Sequence, residues 1–127
     1  MATLKTSISQ IKELQPGETV GYGRKGVLPK GGTIATVKIG YADGYNRRLG
    51  NGIGKMLIDG KIVPTIGSIC MDMCMLDISG VSAAEGDEVI VFNDVLKVEE
   101  LAKQIDTIPY EILTGISQRV KRVYYYE

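Results

Sequence analysis

The chain has 127 residues, 44% apolar and 24% charged, which is an ordinary balance for one globular domain able to bury a core. Its 15 basic and 15 acidic residues cancel, which argues against nucleic acid or an anionic membrane as partner. No apolar run approaches the roughly 20 residues of a membrane helix. Met1-Ala2-Thr3-Leu4-Lys5 lacks a signal peptide's apolar region, so the expected compartment is the cytoplasm.

Leu4 to Leu14 alternates apolar Leu4 and Ile8 with polar neighbours and predicts a first strand. Pro16-Gly17 turns the chain, and Thr19 to Gly23 begins a second strand in which Tyr22 stands between Gly21 and Gly23, beside Arg24. Gly31-Gly32 is a further turn. Thr33 to Ile39 is β-branched and apolar and reads as a buried strand. The following residues 40–54 carry Tyr41, Tyr45, Arg47, Arg48 and several glycines without helical periodicity, and predict an exposed loop, a common place for functional side chains.

Lys55 to Val63 is a hairpin signal, two apolar runs about Asp59-Gly60. Ile69 to Leu76 contains both cysteines, Cys70 and Cys74. On a continuous strand they would lie about 13 Å apart at ~3.3 Å per residue, too far for a disulfide, so buried free thiols are expected. Val89 to Phe92 is another strand. Helical spacing first appears at Val98, Leu101, Ala102 and Ile105. Pro109 suits the first turn of a second short helix ending at Gly115, and Arg119 to Tyr126 reads as a closing strand. Residues 1–127 thus predict one mainly β domain: a Greek-key-like, partly open β-barrel or sandwich with one or two short helices near the C-terminus.

The residues limit the chemistry. With no histidine, a Ser-His-Asp arrangement is impossible, and two cysteines are too few for a structural zinc site. Gly50-Asn51-Gly52-Ile53-Gly54 has neither dinucleotide-binding nor P-loop spacing. A tyrosine base such as Tyr22 faces an unperturbed pKa near 10, and lowering it to about 7 needs roughly 4 kcal/mol. Arg24 beside it supplies part at most, since exposed charges contribute little. The rest has to come from groups outside this chain.

The segments Thr33 to Tyr45, Ile69 to Met73 and Ile108 to Ile112, together with Val20-Gly21-Tyr22-Gly23 and Arg119 to Tyr124, closely resemble the C-terminal domain of alanine racemase. The resemblance implies a pyridoxal-phosphate enzyme acting as a head-to-tail homodimer. The α/β barrel of one subunit would carry the cofactor-bearing lysine, and the β domain of the other would complete the site. By that match Tyr22 is the second catalytic base, taking the α-proton of L-alanine on one face while the barrel lysine serves the other. Tyr41 lines the substrate entrance, Met71-Asp72 lies beside the substrate carboxylate, Tyr110 bonds the cofactor phosphate, and Arg47 falls in the outer entrance channel.

The same resemblance implies D-alanine supply for cell-wall peptidoglycan. It also implies that the chain, which lacks the barrel and its lysine motif, is inactive alone. Gly21 and Ser68 depart from the family's serine and frequent arginine, leaving room for shifted specificity, toward serine for example. Two other readings compete: a fold-related decarboxylase of basic amino acids, disfavoured by Cys70-Met71-Asp72, and a non-catalytic dimerisation or regulatory module.

Overall fold

A computed structural model describes residues 3–20, 26–93 and 96–116, leaving aside the side chains of Val20, Tyr110 and Thr114. Eight strands occupy these residues: β1 (Leu4–Leu14), β2 (Thr19–Val20), β3 (Gly26–Val27), β4 (Gly32–Val37), β5 (Lys55–Ile58), β6 (Lys61–Ile66), β7 (Cys74–Asp77) and β8 (Glu88–Phe92). Two helices follow, α1 (Val98–Gln104) and α2 (Pro109–Gly115). Six strands close an antiparallel barrel in the order β1-β4-β7-β6-β5-β8, and β2 and β3 form a separate two-stranded ribbon. The barrel is closed where the sequence predicts a partly open one. β8 pairs on one side with β1 (Thr6 opposite Val89) and on the other with β5 (Leu57 opposite Ile90).

Period-two alternation fills the interior. Ala35 and Val37, Met56 and Ile58, Cys74 and Leu76, and Val89 and Val91 all point inward and belong to one buried cluster. Leu101 and Ile105 of the α1 segment join that cluster, and Ala102 beside them is buried too, so the helix presents the face its spacing predicts. β1 is a special case. Its register shifts between Ile8 and Gln10, and this irregularity lets Ile8 and Ile11, three residues apart, both reach the interior cluster. Leu14, an odd number of residues further on, then faces outward. There it packs with Ile34, Ile66 and Met75 in a second, outer cluster, against which Leu28 rests.

The β5–β6 hairpin turns through Asp59 (φ 50) and Gly60 (φ 75), both left-handed as a two-residue primed turn requires. Two expectations need correction. Residues 40–54 are not simply an exposed loop: they contain one-turn 3-10 helices at Tyr41–Asp43 and Arg47–Leu49, and Tyr45 and Leu49 are buried in the main core. Nor is Ile69 to Leu76 a continuous strand. The chain folds back at residues 70–73, where the Cys70 N–H donates to the Met73 carbonyl at 2.9 Å, and only Cys74–Asp77 is extended. Cys74 is a buried free thiol as expected, whereas Cys70 is half-buried. The final predicted strand lies outside the described residues.

Candidate functional site

The end of β4 leads into Gly40, where a tight turn is built from both directions. The Gly40 N–H donates to the buried Asp43 carboxylate at 3.0 Å, and the Asp43 N–H returns to the Gly40 carbonyl at 3.0 Å. Asp43 therefore fulfils the turn chemistry its type suggests. Gly44, at φ 104, ends the turn in a conformation that favours glycine.

This turn is fastened to the fold-back at residues 70–73 through the backbone. The Tyr41 N–H donates to the Cys70 carbonyl and the Ala42 N–H to the Met71 carbonyl, each at 3.0 Å. Gly40 makes the approach possible, because a Cβ there would run into the carbonyl oxygens of Cys70 and Met71. Tyr41 and Met71-Asp72, remote in sequence, thereby share one rigid edge. Their side chains face outward: Tyr41 is 45% exposed, Met71 53%, and Asp72 is exposed beside them.

Arg47 joins from the next turn, its guanidinium carbon 5.5 Å from the centroid of the Tyr41 ring. That turn is anchored at several points. The Asn46 carboxamide accepts the Arg48 N–H at 2.8 Å, Arg48 donates to the Ile105 carbonyl beyond α1 at 3.2 Å, and the buried Thr65 hydroxyl donates to the Leu49 carbonyl at 2.7 Å. An open cleft of about 390 Å³ lies alongside, lined by Asn46, Arg47, Arg48, Asn51, Ser68 and Ile69. Neither arginine has a carboxylate partner among the described residues, so the cleft favours an anionic group such as a carboxylate.

α2 reaches the same edge from the other side. The main chain of Gly115 and Ile116 sits against Gly44, where no Cβ would fit. Tyr110 occupies the first turn of α2, and its side chain lies outside the described residues, as does the whole of Tyr22. The structure thus groups Tyr41, Met71, Asp72 and Arg47 directly and sets the C-terminal end of the helix that carries Tyr110 against Gly44. Sequence reasoning passes over Asn51 and Ile69 in the cleft wall and over Gly40 as the contact that joins the Tyr41 turn to residues 70–73. The spacing of Gly40 and Asp43, a turn donor and acceptor three apart just after a strand, is the available signal.

Burial, with Cys70 adding to it, pushes the Cys74 thiol up to about 12. It is therefore inert at neutral pH. The described residues contain no cluster of three or more potential metal ligands, and none of their helices is long and apolar enough to cross a membrane. Chemically the edge is a wall that displays the Tyr41 phenol, the Met71 thioether, the Asp72 carboxylate and the Arg47 and Arg48 cations outward.

The model of the alanine racemase C-terminal domain family matches residues 1–124. Alanine racemase 1 of Caldanaerobacter subterraneus is 43% identical over 127 residues, covering 96% of this chain and 32% of the relative. Among solved structures, the alanine racemase of Clostridium difficile 630 superposes with a TM-score of 0.90 at 44% identity, covering 97% of this chain and 32% of that one. The alanine racemase of Bartonella henselae, solved with covalently bound pyridoxal phosphate, gives 0.92 at 32% identity, covering 97% of this chain and 34% of that one. The chain spans about a third of the length of the curated relatives it matches.

Proposed function

The chain belongs to the alanine racemase C-terminal domain family, and on that footing we propose that it is the β domain of a pyridoxal-phosphate-dependent alanine racemase and completes the site of a partner subunit. The observation that carries the reading is the backbone lashing of the Tyr41 turn to Met71-Asp72. That lashing sets an outward-facing edge at fixed geometry, and an exposed edge of this kind serves a site whose other wall is another domain.

The described residues fit the cofactor as a wall, not as a container. Tyr41 and Met71 are about half exposed, and the helix of Tyr110 ends against the same turn, so this edge can face a cofactor held from outside. Tyr110 would then donate its hydroxyl to the cofactor phosphate. When bound, pyridoxal phosphate supplies the electron sink that makes the α-proton of alanine removable.

One face of the proton exchange belongs to this chain, and the barrel lysine serves the other. The Tyr22 phenolate oxygen takes the α-proton of L-alanine and, in the reverse direction, returns it. Racemisation needs one base on each face, because each enantiomer presents its proton to one side. The Met71-Asp72 main chain orients the substrate carboxylate, and Tyr41 and Arg47 line its approach, the cation drawing the carboxylate inward. Tyr22 needs roughly 4 kcal/mol of phenolate stabilisation to work near neutral pH. The partner domain is the source of that stabilisation, which makes the separated chain inactive.

Ser68 favours a second reading of substrate range. It lines the cleft beside Arg47 where a longer side chain is common in the family, and the extra space suits a substrate with a larger polar side chain, such as serine. Combining this domain with its barrel and comparing racemisation of alanine and serine tests both readings. Activity on neither substrate would leave the non-catalytic module as the surviving account.

A further inference from the structure

We propose that Leu28 is a positioning residue for Tyr22, fixing the stance of the β2–β3 ribbon whose two arms the Tyr22 segment connects; this rests on the reading of Tyr22 as base given above. The ribbon is minimal. Thr19 pairs with Val27 and Val20 with Gly26, and residues 21–25 join them. Two strands of two residues have too little of their own to hold a fixed orientation, so what they dock on decides it.

Among the described side chains the docking contact is specific. Thr19 and Val27 are exposed, and Gly26 is buried but has no side chain. Leu28, the next residue, packs on the outer cluster of Leu14, Ile34, Ile66 and Met75. Its carbonyl accepts the Gly17 N–H at 3.3 Å and the Gly31 N–H at 2.9 Å. The approach to β2 and the return to β4 therefore converge on this one residue.

The space it occupies is kept open. A Cβ at Gly32 would come within 3.0 Å of the Leu28 Cδ1 and would run into the Ser79 hydroxyl. Ser79 is itself held by the Asp77 carboxylate at 2.7 Å. The ribbon borders a cavity of about 210 Å³ whose lining includes Gly26, Val27, Leu28, Pro64, Ile66 and Gly67. The ribbon thus stands on the barrel at Leu28 with open space beside it. Because the outer cluster is separate from the barrel interior, trimming Leu28 moves the ribbon while the barrel keeps its core.

The test uses the whole enzyme, this domain together with its barrel, and also this chain. Leu28→Ala is expected to lower kcat on the order of 10–100-fold, the scale of a catalytic group displaced by about 1 Å, and Leu28→Met to recover most of it. A displaced tyrosine has a directional signature. The primary isotope effect with α-deuterated L-alanine rises, because the Tyr22 step becomes more rate-limiting, whereas that with α-deuterated D-alanine does not rise. General destabilisation produces no such asymmetry.

In this chain, Leu28→Ala should speed amide exchange at Val27 and leave Val37 and Leu76 protected. Should Leu28→Ala fail to fold, Leu28→Val carries the same isotope-effect test, with the same asymmetry expected. Unchanged kcat and isotope effects in a folded Leu28 variant, alongside a dead Tyr22→Phe, overturn this inference and leave the role of Tyr22 standing. A fully active Tyr22→Phe overturns the underlying reading, and this inference with it.

Discussion

The Arg47 guanidinium lies 5.5 Å from the centroid of the Tyr41 ring, so one cation both holds an exposed aromatic side chain and faces an open cleft. Exposed pairs of this kind contribute about 0.5–1 kcal/mol, which orients a side chain without locking it. In the assembled enzyme, Arg47→Ala should raise KM for alanine about 2–5-fold and change kcat less. Tyr41→Phe, which keeps the ring under the cation, should leave KM closer to wild type. Steady-state kinetics on the two variants check this.

Gly40 is where backbone meets backbone. Gly40→Ala places a Cβ against the main chain of Cys70 and Met71, atoms that cannot rotate away. A cost of about 1–3 kcal/mol is expected, the usual range for overpacking. The damage should concentrate at the Tyr41–Met71 edge, so amide exchange at Tyr41 and Ala42 should accelerate more than at β7. Urea denaturation with amide exchange measures both.

Thr65 fastens the segment that carries Arg47. Its buried hydroxyl donates to the Leu49 carbonyl at 2.7 Å and accepts the Gly52 N–H at 3.1 Å. Thr65→Val keeps the shape but strands the Gly52 N–H and leaves the Leu49 carbonyl with the Gly54 N–H alone, which should cost about 1–3 kcal/mol. Tyr45→Phe should behave oppositely. The Tyr45 hydroxyl is buried without a hydrogen-bond partner among the described residues, and burial pushes its pKa up, with Cys74 adding to the effect. Its removal should be neutral or stabilising by up to about 1 kcal/mol. Thermal melts of the two variants should shift in opposite directions, or leave Tyr45→Phe unmoved.

Cys74 predicts a pH dependence. Its thiol is raised from 9.0 to about 12, first by burial and then by Cys70. The folded state holds this proton more tightly than the unfolded state does. The associated stability is complete below about pH 9 and is lost progressively as pH rises toward about 12, at up to 1.36 kcal/mol per unit. Cys74→Ala should flatten that slope in denaturant titrations at pH 8–11. Under native conditions a thiol reagent should modify half-buried Cys70 before Cys74.

Most of the barrel is legible from residue spacing, because alternation and turn chemistry are local. Asp59-Gly60 marks its hairpin, and Leu101, Ala102 and Ile105 mark the buried face of the α1 segment. Closure is not legible. It depends on β8 finding both β1 and β5, a non-local pairing with no local signature. Residues 40–54 mislead for a similar reason: a glycine-rich, arginine-bearing stretch reads as solvated, yet Tyr45 and Leu49 turn inward to fill the core. The continuous apolar run through Cys70 and Cys74 hides a reversal that only the Cys70–Met73 hydrogen bond reveals. Of the site, Tyr41, Met71, Asp72, Arg47 and Tyr110 are found through family resemblance. The grouping of Tyr41 with Met71 and Asp72 is a property of Gly40 and the two backbone bonds beside it.

The central claim, that this domain lends Tyr22 as a base to a site completed by another domain, is tested most directly by Tyr22→Phe in the two-domain enzyme. The account predicts that alanine racemisation falls by about 10²–10⁴-fold, the usual worth of a general base, while pyridoxal phosphate remains bound with an unaltered absorbance spectrum. Undiminished racemisation by that variant, with cofactor bound, would contradict it.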